Sequence, residues 1–506
     1  MYDGQEELDN LVRDKNDEDS GEAQNRMRLK KTCRQVEELA EERCGKPATL
    51  ISPLIFGGFN ILYRIHLDGD VGESPDVMVR LPCPSLVQFP SEKTVYEAAT
   101  AALIAKRTQL PVPRQLCYGE DSRVGPFIIM ERVENCGSVS ARLNRRSQDP
   151  SAPHVLDTNV SDAMLEVIWG KVAHCLLQLS CLTFPRIGSL VEAGDGSYEV
   201  GGRPLTHNMT DMVRLANIPR AVLPPKEKTY ETADEWYTAL ADMHIAQLVF
   251  QHNDLVTSED DCRNKYVARH IFRRLAREGR LSTFGFAEDS WSAQSSSIPG
   301  HTLSPAPSGS DGFRLWGDDF RAGNILLDGS DDIAALIDWE YTYAGPTQFV
   351  LDPPWWLLIE TAEMWSAGID DWRETYGVRL ETWLSAMEKA EGNMAGGPGP
   401  LLPAPLSTYM RESWETGRFF LSYGARKSWA FDAMYWKFLD ERFFGGRQDG
   451  VLKDELWKTR VHLLSEEERA AMDPFVEGKM AASQERRIVD WDPREARKRF
   501  SDFLFD

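Results

Sequence analysis

The chain has 506 residues, 42% of them hydrophobic, with 57 basic and 79 acidic side chains and a formal net charge of −22. That length and apolar content bury a large core in two or more lobes, and no uncharged apolar run of about 18 residues exists to span a membrane. The acidic balance argues against general nucleic-acid or anionic-membrane binding; eight cysteines without a C-x-x-C pair or zinc-like grouping indicate free thiols in a reducing, cytoplasmic setting.

In chain order, residues 1–23 are charged or small and show no apolar period, so a disordered acidic tail is expected, neither signal peptide nor presequence. Residues 24–43 shift to helix formers, with Val36, Leu39 and Ala40 on one face, and predict an entry helix. Strands are expected over 50–55 and 61–67, joined by Phe56-Gly57-Gly58-Phe59-Asn60. Such glycines let a backbone lie over nucleotide phosphates, because no Cβ blocks close approach; they suit an ordinary hairpin turn equally well. A third strand, 76–81, carries Arg80. A helix over 91–107 sets Val95, Ala98, Ala99, Ala102 and Leu103 at helical spacing and also carries Glu97. With strands at 115–118 and 127–130, five strands and one helix form a small lobe over 24–134.

A larger, mainly helical lobe is expected over 135–480, with helices at 162–182 and 234–249. His252-Asn253-Asp254-Leu255 imitates the His-x-Asp-Leu of a catalytic loop. Glu259, not Asn, stands five residues after Asp254, and a charged helix follows in place of a hairpin, so this segment reads as structural. Residues 282–312, rich in Ser, Gly and Pro, predict a flexible insertion. Aromatic-dense helices follow at 370–390, 405–423, 428–444 and 450–463, with a break at 396–400, and 481–506 is a C-terminal tail, charged with a few aromatics, expected to dock.

The chemistry concentrates between Trp316 and Glu340. Asp319 stands five residues before Asn324, which opens the apolar run Ile325-Leu326-Leu327; a polar turn leads into a second run, 333–337, ending in Asp338. Two such runs read as a β-hairpin with Asn324 across from Ile337, so Asn324 and Asp338 share one mouth. An Asn and an Asp there can ligate Mg²⁺ on nucleotide phosphates, and Asp319 can orient and deprotonate an attacking hydroxyl. The plainer reading is that Asp319 caps a turn and Asp338 ends a strand.

Gly-Asp-Asp-Phe-Arg-Ala-Gly-Asn-Ile-Leu-Leu-Asp (317–328), with Ile337-Asp338-Trp339-Glu340, resembles the catalytic and metal segments of the aminoglycoside/choline-kinase-like phosphotransferases. Phe349-Val350-Leu351-Asp352-Pro353-Pro354-Trp355-Trp356, with Val79-Arg80-Leu81-Pro82, is most similar to the large fungal branch. The family usually places His where this chain has Gly317. The resemblance implies a bilobal α+β fold of protein-kinase type and an ATP- and Mg²⁺-dependent transfer to a small-molecule hydroxyl. It implies Asp319 as base and Arg321 near the transferring phosphate, with Asn324 and Asp338 as metal ligands. Gly57, Gly58, Phe59, Asn60 and Arg80 would hold the nucleotide, Glu97 would support Arg80, and Met130, Glu131 and Val133 would meet the adenine edge. The competing expectation is a pseudokinase-like nucleotide-binding or interaction module without turnover.

Overall fold

The computed structural model describes the chain except for residues 1–7, 70–75, 148, 150–151, 299, 308–311, 395–401, 449 and 506. Its first element is the helix α1 (Asn10–Met27), in place of most of the expected disordered tail, whose residues 1–7 lie outside the described ones. The Asp9 side chain caps it by accepting from Val12 N at 3.0 Å, and Val12, Ser20, Ala23 and Met27 are buried along it. So polar a helix gains little from its own sequence and is ordered by tertiary contacts. At its start Asp9 accepts from Asn253 Nδ2 at 2.9 Å and Asn10 N donates to Asp254 at 3.0 Å; at its end the Tyr63 hydroxyl donates to Met27 O at 2.8 Å. The helix thus reaches from the large lobe to the small one.

The small lobe follows. Helix α2 (Lys30–Cys44) buries Val36, Leu39 and Ala40 and stops at Gly45, whose φ of +68° suits a residue without a Cβ. Strands β1 (Ala48–Phe56), β2 (Asn60–Leu67) and β3 (Asp76–Pro82) precede α3 (Pro90–Arg107), and β4 (Gln115–Gly119) and β5 (Phe127–Glu131) complete an antiparallel sheet of order β1-β2-β3-β5-β4. Val36 and Leu39 pack into a core with Tyr63, Ile65, Val79 and Phe127. Ala99, Leu103 and Ile104 of α3 join the core of the large lobe instead.

That lobe contains β6 (Gly137–Ser138), α4 (Val139–Leu143), α5 (Asp162–Ser180), β7 (Thr183–Phe184), β8 (Ser189–Glu192), β9 (Tyr198–Gly202), α6 (His207–Ala216), α7 (Ala233–Phe250) and α8 (Glu259–Arg277). Short strands β10 (Phe313–Gly317), β11 (Ile325–Leu327), β12 (Ile333–Leu336) and β13 (Thr342–Gly345) then carry the loops of interest. Helices α9 (Thr347–Val350), α10 (Ile369–Asn393), α11 (Leu406–Thr416), α12 (Arg418–Arg426), α13 (Phe431–Met434) and α14 (Asp440–Phe444) pack the aromatic side chains inward. The helix expected over 405–423 is broken at Gly417 (φ +84°), and 450–463 forms only short turns around α15 (Trp457–Arg460). The break expected at 396–400 lies outside the described residues. The architecture is a bilobal α+β fold, an antiparallel N-terminal sheet followed by a mainly helical lobe. Among the described residues no helix is long and apolar enough to cross a membrane.

One further expectation needs correction. The insertion 282–312 is packed over most of its described length: Phe284 lies edge-on to Phe443 at 4.8 Å, and Glu412 accepts from Ser304 N at 3.1 Å. Its Ser/Gly/Pro composition hid these aromatic and carboxylate anchors; residues 299 and 308–311 lie outside the described ones. After α16 (Glu466–Gln484), the charged C-terminal segment forms α17 (Pro493–Ser501) and docks through buried Ala496 and Phe503, the latter 5.0 Å from Phe475. Asp254, the aspartate of the imitation loop, accepts from Arg486 at 2.7 Å and from Asn10, a purely structural set of partners.

Candidate active site

Strand β10 pairs with β13 and delivers the chain into the loop 318–324, which β11 and β12 continue as an antiparallel hairpin with Ile325 opposite Leu336. Ile337 N donates to Asn324 O at 3.0 Å, so Asn324 and Asp338 do share one mouth. The buried Asn324 turns its Nδ2 back onto Asp319 O at 2.8 Å and thereby closes the loop. Asp338 adopts φ +66°, a left-handed conformation that Asp tolerates better than most residues. Asp319 and Asp338 open onto one cavity of about 490 Å³ that Gly58, Phe59 and Arg321 also line. Arg321 Nε donates to Asp319 Oδ1 at 3.1 Å. Burial nevertheless pushes the Asp319 carboxyl up to about 6, close to the range a general base needs.

Arg80 of β3 reaches Glu97 of α3 at 3.3 Å and Glu340 at 3.1 Å, and closes directly on Asp338. A second cation, Lys93, lies one turn before Glu97 on α3 and pairs with Glu340; Asn60 ties the two, accepting from Lys93 Nζ at 2.7 Å and donating to Glu340 at 3.0 Å. Lys93 and Glu340 are each 1% exposed, so this network is a buried unit of two cations and three carboxylates. Burial works against the charge on Glu340, but Lys93 and Arg80 outweigh it and hold the carboxyl down to about 2. Glu97 goes the other way, pushed up to about 7 by burial. Asp338 also moves up on burial, with Arg80 opposing.

The glycine loop closes with Gly57 N donating to Asn60 O at 2.8 Å. Its tip residue, Phe59, packs edge-on against His207 (5.3 Å) and Tyr341 (5.6 Å), so the loop rests on the large lobe. Asn60 lies beneath the loop with its amide consumed by the charged network. Met130 and Glu131 sit in the β3–β5 ladder, Glu131 N donating to Arg114 O at 2.9 Å; Val133 follows just past the strand, and none of the three lines the cavity.

At Gly317, where the resemblance implies His, a Cβ would stand 2.6 Å from the Phe320 Cβ. Phe320 in turn stacks on Trp339 (5.7 Å, 18° between planes), and Asp318 N donates to Tyr341 O at 3.1 Å. Ring packing and a backbone hydrogen bond therefore join the two loops without that His.

Sequence reading missed several residues here. Lys93 and Glu340 were visible only as helix spacing and as the third residue of Asp-Trp-Glu. His207 and Asp211 carried no motif at all, and Asp318 stood inside the 317–328 segment without a role of its own. Asp318 accepts from Arg426 at 3.2 Å and from His207 N at 3.1 Å. His207 Nδ1 lies 3.0 Å from Asp211 Oδ2. The cavity is also lined by Trp355, Glu360, Glu363, Lys427 and Trp429.

No protein-family model matches the chain, and no curated protein does. Among solved structures, it is similar to a macrolide 2′-phosphotransferase type I (14% identity, TM-score 0.37), covering 86% of this chain and 98% of that one. A thermostable mutant of the aminoglycoside phosphotransferase APH(4)-Ia, in ternary complex with AMP-PNP and hygromycin B, gives 13% identity and TM-score 0.37 over 89% and 99%. A protein assigned as a fructosamine-3-kinase of Haemophilus somnus 129PT gives 12% and 0.34 over 76% and 97%. Likenesses this distant carry no weight for the chemistry, which rests on the geometry of the site.

Proposed function

We propose that the protein is an ATP-dependent phosphotransferase acting on a hydroxyl of a small molecule. The observation that carries this reading is the placement of Asp319 and Asp338 on one cavity under the glycine loop, with Asn324 locking the loop between them. In this reading the small lobe, 24–134, holds the nucleotide through Gly57, Gly58, Phe59 and Arg80, with Asn60 and Glu97 holding Arg80's surroundings in place. The adenine edge meets the chain near Met130, Glu131 and Val133. The large lobe, 135–480, brings the acceptor to Asp319, which takes its proton, while Arg321 faces the transferring group. The segment likeness to the fungal branch, the C-terminal tail 481–506 and a cytoplasmic setting belong to the same proposal.

The residues fit a divalent cation. Oxygens of Glu97, Asp338 and Glu340 lie within 4.8 Å of one another, and the buried Glu340 Oε1 has no hydrogen bond. Asp338 and Asn324 would hold Mg²⁺, which when bound neutralises charge on the phosphates.

A second reading, a nucleotide-binding module without turnover, is favoured by Arg80 closing directly on the supposed metal ligand Asp338. Two variants and a library of hydroxylated metabolites with γ-labelled ATP separate the readings. Asp319→Asn should keep Mg·ATP binding and lose turnover by about two to four orders of magnitude, the scale of general-base catalysis. Asp338→Ala should instead lose metal-dependent nucleotide binding. Transfer to no acceptor by the wild type, with both variants binding Mg·ATP normally, would decide for the module.

A further inference from the structure

We propose that His207 is a catalytic residue of this site, an imidazolium that donates a hydrogen bond from Nε2 to the transferring phosphoryl group opposite Arg321. This deepens the phosphotransferase reading and rests on it. His207 opens α6 and lines the same cavity as Asp319, Arg321 and Asp338. It is held on three sides: Nδ1 pairs with Asp211 at 3.0 Å, its backbone N–H donates to Asp318 at 3.1 Å, and its ring meets Phe59 and Tyr341 edge-on. Nε2 is left without a hydrogen bond among the described residues, on a side chain 36% exposed to the cavity.

The position matters because of what flanks it. Phe59 is the tip of the loop assigned to the phosphates, and Asp319 is the assigned base. A group touching the first and facing the second stands where the phosphoryl group passes between them. Charge accumulates there on non-bridging oxygens, and a fixed, preorganised donor aimed at them stabilises it.

The protonation state agrees with this placement. Burial pulls the His207 imidazolium down, but Asp211 outweighs it, with Asp319 and Asp318 adding to the effect, and the group is held up to about 9. Asp211 is itself lowered, burial being overcome by His207 and by Arg214, which pairs with it at 3.0 Å. Facing His207 are therefore Asp211 and Arg214 from α6, Asp318, Asp319 and Arg321 from the catalytic loop, and Tyr341; Arg426 of α12 compensates Asp318.

In the step itself the acceptor oxygen bonds to the γ-phosphorus as the bond to the β–γ bridging oxygen breaks. The bridging electron pair leaves with ADP, and the acceptor proton goes to Asp319. His207 keeps its proton throughout, which separates its role from that of a base.

The test needs no known acceptor. Calorimetry at pH 7.5 measures the affinity of the full chain for Mg·ADP alone and for Mg·ADP with aluminium fluoride, which imitates the transferring phosphoryl group. In wild type the fluoroaluminate complex should bind more tightly. His207→Gln should lose at least ten-fold of that preference while binding Mg·ADP as before. Asp211→Asn should show the preference at pH 6 and lose it by pH 8, because the imidazolium returns toward its ordinary range; this variant also serves if His207→Gln folds poorly. Unchanged preference in His207→Gln, or equal loss for both ligands, would overturn the assignment and leave the phosphotransferase reading standing. Failure of the wild type to bind Mg·ADP at all would remove both.

Discussion

Lys93 and Glu340 form a salt bridge with almost no access to water, and such pairs are asymmetric in energy. Replacing both partners is often close to neutral, whereas removing one strands a buried charge at a cost of about 3–5 kcal/mol. Lys93→Met should therefore lower stability by about that amount in urea unfolding, and Lys93→Met with Glu340→Gln should recover most of it. Equal losses in the single and double variants would mean that Lys93 contributes through packing alone. The i,i+4 spacing of Lys93 and Glu97 was legible in the sequence, as was the acid two residues after Asp338. That these belong to one network was not, because helix spacing says which side chains share a face and nothing about the loop that face meets. His207 was less legible still: it lies 112 residues before Asp319, with no motif to link them.

At the scale of elements, the hairpin was the most legible feature. Two apolar runs and a polar turn specify both pairing and register, and the Ile337–Asn324 hydrogen bond follows from them. Helix α1 is the counter-example. Its residues are polar enough to read as disordered, and its partners Asn253 and Asp254 lie 244 positions away. Composition also misread 282–312, where a few anchors outweigh many small residues. Asp254→Asn should leave turnover per folded molecule near wild type, since no metal-binding Asn follows it at the needed spacing. It should also loosen α1, because the charged acceptor for Arg486 and Asn10 is lost. Limited proteolysis within 10–27 reads the second effect. A large loss of activity with α1 still protected would place the catalytic loop at 252–255 after all.

For the molecule as a whole, the two-lobe plan was legible because strand alternation and helical spacing are local properties, repeated many times along the chain. How the lobes meet was not, since that depends on Phe59 reaching His207 and on Arg80 reaching Asp338 across the cleft. Ligand that bridges the lobes should stabilise the folded chain by mass action, by about 2.7 kcal/mol at a hundred-fold excess over Kd. Mg·ATP should accordingly raise the melting temperature, and Arg80→Ala should shrink that shift. No shift at millimolar Mg·ATP would rule out a nucleotide site in either reading of the function.

The reach of α1 also sets an order of events during synthesis. Asp9 and Asn10 leave the ribosome 244 residues before Asn253 and Asp254. At about 5–20 residues per second that is a wait of roughly 12 to 50 seconds. During the wait Asp9 and Asn10 lack their large-lobe partners, and Arg486 comes later still, 232 residues after Asp254. The nascent chain therefore carries the N-terminal end of α1 undocked until the middle of the large lobe has emerged, while Met27 can already meet Tyr63 of the small lobe. Stalled chains ending before residue 250 should be cut by protease within 10–27, and chains stalled some 40 residues beyond 254 should begin to resist.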